Sequence, residues 1–399
     1  MKPLFILLCM AAALPAAAMD GPELSLEDAF RMVAAGHPAA AAAGLAVEEA
    51  RGMAVQAGLP PNPAVELGVE GAGGGDDQTL LSLSQTVPLS GARTAARRAA
   101  QSGVEAAGHE ADAARARLRA GTARAFFAVV RAQELLALAE ESRAGAAELA
   151  ALAEGRVARG DLPEVERLRA ASGLELAEAR LELARGALAA ARESLAAMAG
   201  SGAPSFGRCA GELAPPAPPP REELLARLGT RPGELARGAR LRQAELEGRR
   251  AAREALPNPE LRAGLRRFNA TDESALDVGV GLEIPLFNRN QGAVAAARAA
   301  ARRTEAESNA ARRDERARAA SLHAMLIASL AAVEKLEKNA LPRLDGVGEV
   351  ARKALELGSG TMFEVLAARA DALECRTALV EEKAAARAAA IDLDELAGT

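Results

Sequence analysis

Leu276-Asp277-Val278-Gly279-Val280-Gly281-Leu282-Glu283-Ile284 alternates along its whole length. Leu276, Val278, Val280, Leu282 and Ile284 fall on one face of an extended chain, and Asp277, Gly279, Gly281 and Glu283 on the other. Three further stretches read the same way. Leu261, Ala263 and Leu265 stand opposite Arg262, Gly264 and Arg266; Val65, Leu67 and Val69 opposite Glu66, Gly68 and Glu70; Leu81, Leu83 and Val87 opposite Ser82, Ser84 and Thr86. The alternation predicts strands at about 62–72, 78–88, 259–268 and 276–286, with Gly71–Asp77 and Asn269–Ser274 as hairpin loops. Each strand is about 10 residues long, which is what a tilted strand needs to cross a bilayer, and each has one apolar and one polar face. A half-exposed hairpin on a soluble protein carries the same pattern, so the rest of the chain must decide.

Working outward, the strands belong to a chain written twice. Leu59-Pro60-Pro61-Asn62-Pro63 is answered by Leu256-Pro257-Asn258-Pro259, Pro88-Leu89 by Pro285-Leu286, and Gly160-Asp161-Leu162-Pro163-Glu164-Val165 by Gly360-Thr361-Met362-Phe363-Glu364-Val365. Pro38 is answered by Pro232. All four pairs keep their order at an offset of roughly half the chain, the mark of a tandem duplication. The expected layout is a first repeat over 19–213, a proline-rich linker over 214–220 and a second repeat over 221–399.

Each repeat reads as helix, two strands, a very long helix, a tight turn and a shorter return helix. The leading helical stretches run Leu26–Ala57 and Glu222–Ala255, the long helices about Gly91–Arg156 and Gln291–Leu357, and the return helices Pro163–Met198 and Phe363–Leu396. At 1.5 Å per residue a long helix extends roughly 100 Å. Leu174, Leu181, Leu188 and Leu195 step by seven, as do Leu366, Leu373 and Val380, giving the return helices heptad-like seams. Pro342 falls inside the second long helix and is expected to bend it about one turn earlier.

Composition supports long helices in thin layers. The 399 residues include no Trp, no Tyr and only 8 Phe, with 50% hydrophobic and 26% charged residues. A net charge of −5 from 49 basic and 54 acidic residues leaves no electrostatic footprint for nucleic acid. Lys2, the apolar run Leu4–Leu14 and Ala16-Ala17-Ala18 read as a secretory signal over 1–18. Cys9 precedes the cleavage site, so no lipid anchor on a mature N-terminal Cys is expected. Beyond the signal no membrane-spanning helix is expected, so any crossing must use strands. Four strands cannot close a barrel, and an open edge cannot face lipid. Several copies must therefore pool strands, and polar inward faces would leave a wet lumen. The expected fold class is mainly α with a membrane β-barrel part: duplicated helical hairpins and four transmembrane strands per chain, completing a barrel of about 12 strands and an α-helical tunnel as a trimer.

The chain resembles the TolC-like outer membrane efflux factors of Gram-negative bacteria. The resemblance covers the mature chain and rests on the duplication, on the two Leu-Pro-Asn-Pro-type segments quoted above, and on Ser84-Gln85-Thr86-Val87-Pro88-Leu89-Ser90-Gly91. Glu283-Ile284-Pro285-Leu286-Phe287-Asn288-Arg289-Asn290-Gln291-Gly292 is most similar to the branch serving heavy-metal exporters of the cobalt-zinc-cadmium type. The resemblance implies a homotrimer seated in outer membrane lipid, most of it periplasmic. It implies docking through a periplasmic adaptor onto an inner-membrane, proton-driven pump, and passive conduction of what the pump expels, heavy-metal cations in this branch. The family carries aromatic residues at the membrane interfaces; here Phe268 and Phe287 are the candidates near strand ends. A soluble periplasmic coiled-coil adaptor or spacer is the competing reading, which leaves four bilayer-length strands at matched places without a purpose.

In the family the two helical turns lie at the periplasmic tip, where the adaptor grips and the pore closes. The matching residues are Gly160, Asp161, Leu162, Pro163 and Glu164, and Gly358, Gly360, Glu364 and Val365. Gly160 and Gly360 are expected to give the backbone freedom for the reversals, Pro163 to restart a helix in its first turn, and Glu164 and Glu364 to suit helix N-termini. Glu66, Glu70, Arg262, Arg266, Asp277 and Glu283 are expected to line the barrel lumen. His109 and His323 stand alone on the long helices without a metal-ligand spacing, and Cys209 and Cys375 are expected too far apart for a disulfide. No phosphate loop, nucleophile elbow or catalytic carboxylate pair occurs, so neither a cofactor nor an enzymatic activity is expected.

Overall fold

A computed structural model describes residues 21–72, 77–214 and 217–398. The expected signal segment and two residues of the expected linker lie outside these. In chain order the elements are β1 (Glu23–Ser25), α1 (Leu26–Gly36), α2 (Pro38–Gly58), β2 (Ala64–Glu70), β3 (Gln78–Thr86), α3 (Ala92–Ala158), α4 (Glu164–Met198) and β4 (Arg208–Ala210). The second half continues with α5 (Arg221–Arg227), α6 (Pro232–Glu254), β5 (Pro259–Phe268), β6 (Glu273–Leu282), α7 (Gln291–Lys335), a π turn (Leu336–Ala340), α8 (Leu341–Glu356) and α9 (Met362–Ala397).

The leading helical stretch, expected as helical material over Leu26–Ala57 and Glu222–Ala255, is divided into two helices in both halves. His37 is held extended (φ −81°, ψ 123°) because the Pro38 ring disfavours a helical residue before it. Arg231 is extended for the same reason, with Pro232 opening α6. The fourth strand is displaced from the expected 276–286 to Glu273–Leu282, because pairing with β5 sets its register from Phe268 opposite Glu273 to Pro259 opposite Leu282. The Leu286 N–H folds back to Ile284 O across Pro285 at 2.9 Å, and the Leu89 N–H does the same to Val87 O across Pro88. Both strands therefore stop at a proline-centred turn, and Glu283 lies past the strand end. The π turn occupies the turn before Pro342, where the proline cannot donate the helical hydrogen bond.

The chain forms two compact units. The first comprises residues up to Pro38, Arg119–Pro218 and Leu322–Asp392. Its core gathers Ala29, Phe126, Val129, Val130, Leu136 and the heptad leucines Leu181, Leu188 and Leu195 with Phe206, Leu213 and Val380. Leu174, Leu366 and Leu373 are half-buried. β1 and β4, a parallel pair with Leu24 opposite Cys209, lie against this core. Three-residue strands have no period long enough to read, so sequence reasoning missed them. Gln133 completes the ladder from α3: its Nε2 donates to Cys209 O at 3.1 Å, and its Oε1 accepts from the Cys209 N–H at 2.8 Å. Burial pushes the Cys209 thiol up to about 12 against the pull of Arg192, and Cys209 and Cys375 are both buried and free. Ion pairs bind the helices laterally: Arg131 Nε to Glu381 at 2.7 Å, Lys383 to Glu337 at 3.0 Å, and Arg376 to Asp345 at 3.2 Å.

The second unit comprises Ala39–Leu118, Pro219–Ser321 and the residues from Leu393. It holds one antiparallel sheet in the order β2-β3-β5-β6. It also holds a charged cluster at the start of α6. Arg237 donates to Glu315 at 2.7 Å and to Glu234 at 2.7 Å, and Arg312 Nε donates to Glu234 at 2.6 Å. Arg231, 8% exposed, pairs with Glu315 and donates to Leu396 O at 3.2 Å. Burial pushes the Glu234 carboxyl up, but hydrogen bonds from Arg312 and Arg237 outweigh it and hold the group below its ordinary 4.5. A depressed folded value stabilises above the unfolded one and is lost as pH falls through the folded one. Acidification below about pH 4.5 should therefore lower the thermal midpoint, and Glu234→Gln should flatten that acid limb, as read in a pH series of melting curves.

The expectation that no helix is apolar enough to span a bilayer meets one exception, by length and composition only. The helical stretch Gln291–Glu356 contains a window long and apolar enough to cross a bilayer. Reading for unbroken apolar runs missed it because Ser321, His323 and Ser329 interrupt the run. Leu326 is buried in the single chain while Met325 and Ile327 are about half exposed.

Candidate functional site

The two hairpin turns come together in the first unit. Leu149 and Ala153 of α3, Ala170 of α4, Leu355 of α8, and Met362 and Val365 of α9 form a small core, with Leu162 packed on its flank. Arg156, in the last turn of α3, donates from Nη1 to Leu355 O at 3.0 Å, a carbonyl in the last turn of α8 that also accepts from the Gly358 N–H at 3.1 Å. Sequence reasoning missed Arg156, because an arginine ending one helix gives no sign that it caps another.

Within each turn one glycine takes the left-handed conformation: Gly160 at φ 78° and Gly358 at φ 73°. Backbone freedom was expected of Gly360, and here the structure corrects the reading. Gly360 is required for space, since a Cβ there would meet Ala354 Cβ at 2.8 Å and Leu355 N at 2.9 Å. Pro163 stands one position earlier than expected, as the N-cap of α4 (φ −72°, ψ 153°) with no side-chain cap bond. Thr361 and Glu364 make a capping box: the Glu364 N–H donates to Thr361 Oγ1 at 3.3 Å and the Thr361 N–H to Glu364 Oε2 at 2.9 Å. Glu164 accepts from Arg167 Nε at 2.8 Å, and that guanidinium holds the carboxyl below its usual range. Asp161 is exposed and accepts from Arg159 Nε at 3.2 Å. The rim of the turns is apolar, with Leu357 83% and Phe363 60% exposed and Val165 and Leu168 about half exposed. The sequence does not decide which of Met362 and Phe363 goes inside; the fold buries Met362.

The second candidate site is the polar face of the sheet. Leu67 and Leu265 both pair with Leu81, and Leu276 pairs with Leu265, so the alternating apolar residues of all four strands share one face; Leu80, opposite Gly68 and Arg266, lies on the other. That face is bare in the single chain, with Leu276, Val278 and Val280 at 74%, 75% and 71% exposure. On the other face Arg266 gathers three partners: Asp277 at 2.9 Å, Glu70 at 3.0 Å and Gln78 at 2.8 Å. Arg262 pairs with Glu260 at 3.1 Å on the same side as Glu66. Glu283 is exposed beyond the end of β6 and joins none of these pairs. Among the described residues no group of three or more His, Cys, Asp or Glu is placed to hold a metal ion.

Comparison with known proteins agrees with this architecture. Residues 30–201 match the family model "Outer membrane efflux protein". The cobalt-zinc-cadmium resistance protein CzcC of Cupriavidus metallidurans is 29% identical over 380 residues, covering 95% of this chain and 90% of that protein. The fold of the outer membrane protein VceC from Vibrio cholerae superposes with a TM-score of 0.79 at 21% identity, over 94% of this chain and 96% of VceC. CusC, whose structures concern folding and transmembrane channel formation, superposes with a TM-score of 0.80 at 18% identity over 94% and 92% of the two chains.

Proposed function

We propose, from the premise that this chain is of the TolC-like outer membrane efflux family, that it is the outer-membrane duct of a tripartite export system. Three copies pool their strands into one barrel, and an inner-membrane pump delivers substrate to it through a periplasmic adaptor. The observation that carries this reading is the sheet. Its apolar residues, Leu80 excepted, occupy one bare face and its charged residues, Arg267 excepted, the other, and β2 and β6 are both open edges. An open edge leaves backbone donors and acceptors without partners, which lipid does not allow, so the edges of one copy are best satisfied by those of the next. The apolar window around Met325 and Ile327 then has a natural cover in a neighbouring copy. Similarity to CzcC supports heavy-metal cations as the exported class. Selection among cations is left to the pump, because the polar sheet face carries charges of both signs.

The repeats over 19–213 and 221–399 enter this proposal as two half-walls of the duct. The hairpin turns enter it as the end that meets the adaptor: the residues around Gly160–Glu164 and Gly358–Val365 present an apolar rim on a capped, rigid base. Cell fractionation tests the duct: a heat-sensitive oligomer in the outer membrane fraction supports it, and release with the soluble periplasm refutes it. Deletion followed by growth on cobalt, zinc and cadmium tests the substrate class. Charge reversal, Asp161→Lys, removes the Arg159 pair at an exposed position where ion pairs contribute little to stability. It should change efflux or passive leak while leaving the amount of folded oligomer unaltered; a parallel fall in oligomer would leave Asp161 a structural role alone.

A further inference from the structure

The chain enters and leaves the sheet at one edge. Ala64 pairs with Ser84, Thr86 with Glu260 and Pro259 with Leu282, so α2, α3, α6 and α7 all meet the strands on that side. Asn258 Oδ1 accepts from the Ser90 N–H at 3.0 Å, and Asn290 Nδ2 donates to Ala251 O at 2.8 Å, which ties the helix ends together there. Charge along this edge leans basic: Glu254 ends α6 and Glu283 follows β6 there, while the two long helices open on arginines alone. α3 carries Arg93, Arg97 and Arg98 before its first carboxylate at Glu105, and α7 carries Arg298, Arg302 and Arg303 before Glu305. Neither helix has an acidic residue in its first turn, a feature shared with α2 and α8, whereas α1, α4, α5, α6 and α9 do have one. The positive ends of the two helix dipoles are thus left uncompensated and add to the same field.

Arg93 donates to Gly58 O at 3.1 Å and Arg303 pairs with Glu307 at 3.9 Å, but the remaining arginines here are not committed to the fold. Arg97, Arg98, Arg289, Arg298 and Arg302 are exposed, and none has an ion pair among the described residues. Beside them stand exposed apolar side chains of the edge: Leu89, Ile284, Leu286 and Phe287, the last 90% exposed. An apolar band, then an aromatic, then a row of guanidiniums is the order in which a bilayer presents tails, interface and phosphates. Helix geometry puts Arg97 and Arg98 within about 10 Å of the start of α3 and Arg298 about as far along α7, with Arg302 a turn further at roughly 16 Å, at the outer limit of the collar. The headgroup layer is roughly 5–8 Å deep, which a long arginine side chain extends.

We propose that Arg97, Arg98, Arg289, Arg298 and Arg302 form a collar that binds the phosphate groups of anionic phospholipids in the periplasm-facing leaflet, fixing the depth of the sheet in the membrane. The collar rests on the membrane-duct reading above. A row of charges facing the aqueous lumen is the other use of such residues, but Leu286 and Phe287 beside them suit lipid and not a wet wall. Arginine holds phosphate through paired, planar hydrogen bonds, which distinguishes it from a diffuse positive charge.

The test uses the full-length protein in a neutral detergent, with phosphatidylglycerol, phosphatidylcholine of the same chains, or inorganic phosphate added. Thermal dissociation of the oligomer and lipid retention in native mass spectrometry are the readouts. Phosphatidylglycerol should raise the midpoint and remain bound, and the other two should not. The R97Q/R98Q/R298Q/R302Q variant should bind phosphatidylglycerol at least about tenfold more weakly. The corresponding lysine variant should keep part of the affinity, and the two paired variants R97Q/R98Q and R298Q/R302Q serve if the fourfold change prevents assembly. An equal response to both lipids overturns the collar, as does an unaltered phosphatidylglycerol response accompanied by a changed ion selectivity in planar bilayers. A protein that neither assembles nor takes up detergent refutes the duct itself, whereas an oligomer indifferent to phosphatidylglycerol refutes only the collar.

Discussion

Glu315→Gln should be among the most damaging single substitutions in the chain, lowering stability by roughly 2–4 kcal/mol, somewhat less than the about 3–5 kcal/mol of a fully buried ion pair because Glu315 itself is 24% exposed. Glu315 faces two guanidiniums, Arg231 and Arg237, and Arg231 is only 8% exposed. The amide replaces an acceptor oxygen by a donor that points at donors, so Arg231 keeps its charge, Leu396 O as its acceptor and no carboxylate. Arg237 retains Glu234, which limits the loss on its side. Removing both charges of the buried pair should do less harm than removing one, because no uncompensated ion is left behind. Glu315→Met combined with Arg231→Met should therefore melt above Glu315→Gln alone when midpoints of the detergent-solubilised proteins are compared. The reverse order would mean that the cluster acts through its net favourable attraction and not through the cost of an orphaned charge.

Much of the architecture was legible because its elements are long and strictly periodic. Nine residues alternating from Leu276 to Ile284 leave little freedom of interpretation, and Gly160 and the Gly358–Gly360 segment mark where the long helices must reverse. What escaped depended on contacts between distant segments. Glu283 continues the alternation in sequence, but strand length is set by the partner, and β5 has no residue left to pair with it. Gly358 and Gly360 look equivalent on the page; only the approach of Ala354 separates a glycine needed for its φ from one needed for its missing side chain. The Thr361–Glu364 capping box was available to a local reading, since its spacing alone announces it, and only its glutamate was recognised.

The candidate tip was legible as a location and illegible as a mechanism. Arg156 and Leu355 are far apart in sequence, yet their hydrogen bond links the end of α3 to the end of α8. The turn core of Met362, Val365 and Leu149 likewise joins two hairpins that local periodicity treats as independent. Hence the exposed Leu357 and Phe363 stand on a braced base, and a partner docking there meets a preformed surface whose ordering cost has already been met by the fold.

Phe126→Ala should rival the Glu315 variant, costing roughly 3–5 kcal/mol, because a fully buried aromatic is removed where the surroundings cannot collapse. Phe126 is 0% exposed and meets Phe127 edge-to-face with ring centroids 5.4 Å apart. Gly211 marks how tightly it is held: a Cβ at that glycine would lie 3.0 Å from Phe126 Cε1 and 3.5 Å from Val130 Cγ2. The residue sits in the same core as Ala29, Phe206 and Cys209, so it supports the segments that carry β1 and β4. The parallel pair is only three residues long, too short to persist without that support. Truncation should accordingly expose Cys209, whose thiol is otherwise buried, and alkylation of Cys209 under native conditions should rise with the fall in thermal midpoint. Phe126→Leu, which keeps most of the volume, should lose less than half as much stability and leave Cys209 protected. A Phe126→Ala protein that melts normally with Cys209 inert would show that the core closes around the void, and that the long helices, not this aromatic, hold the β1–β4 pair in place.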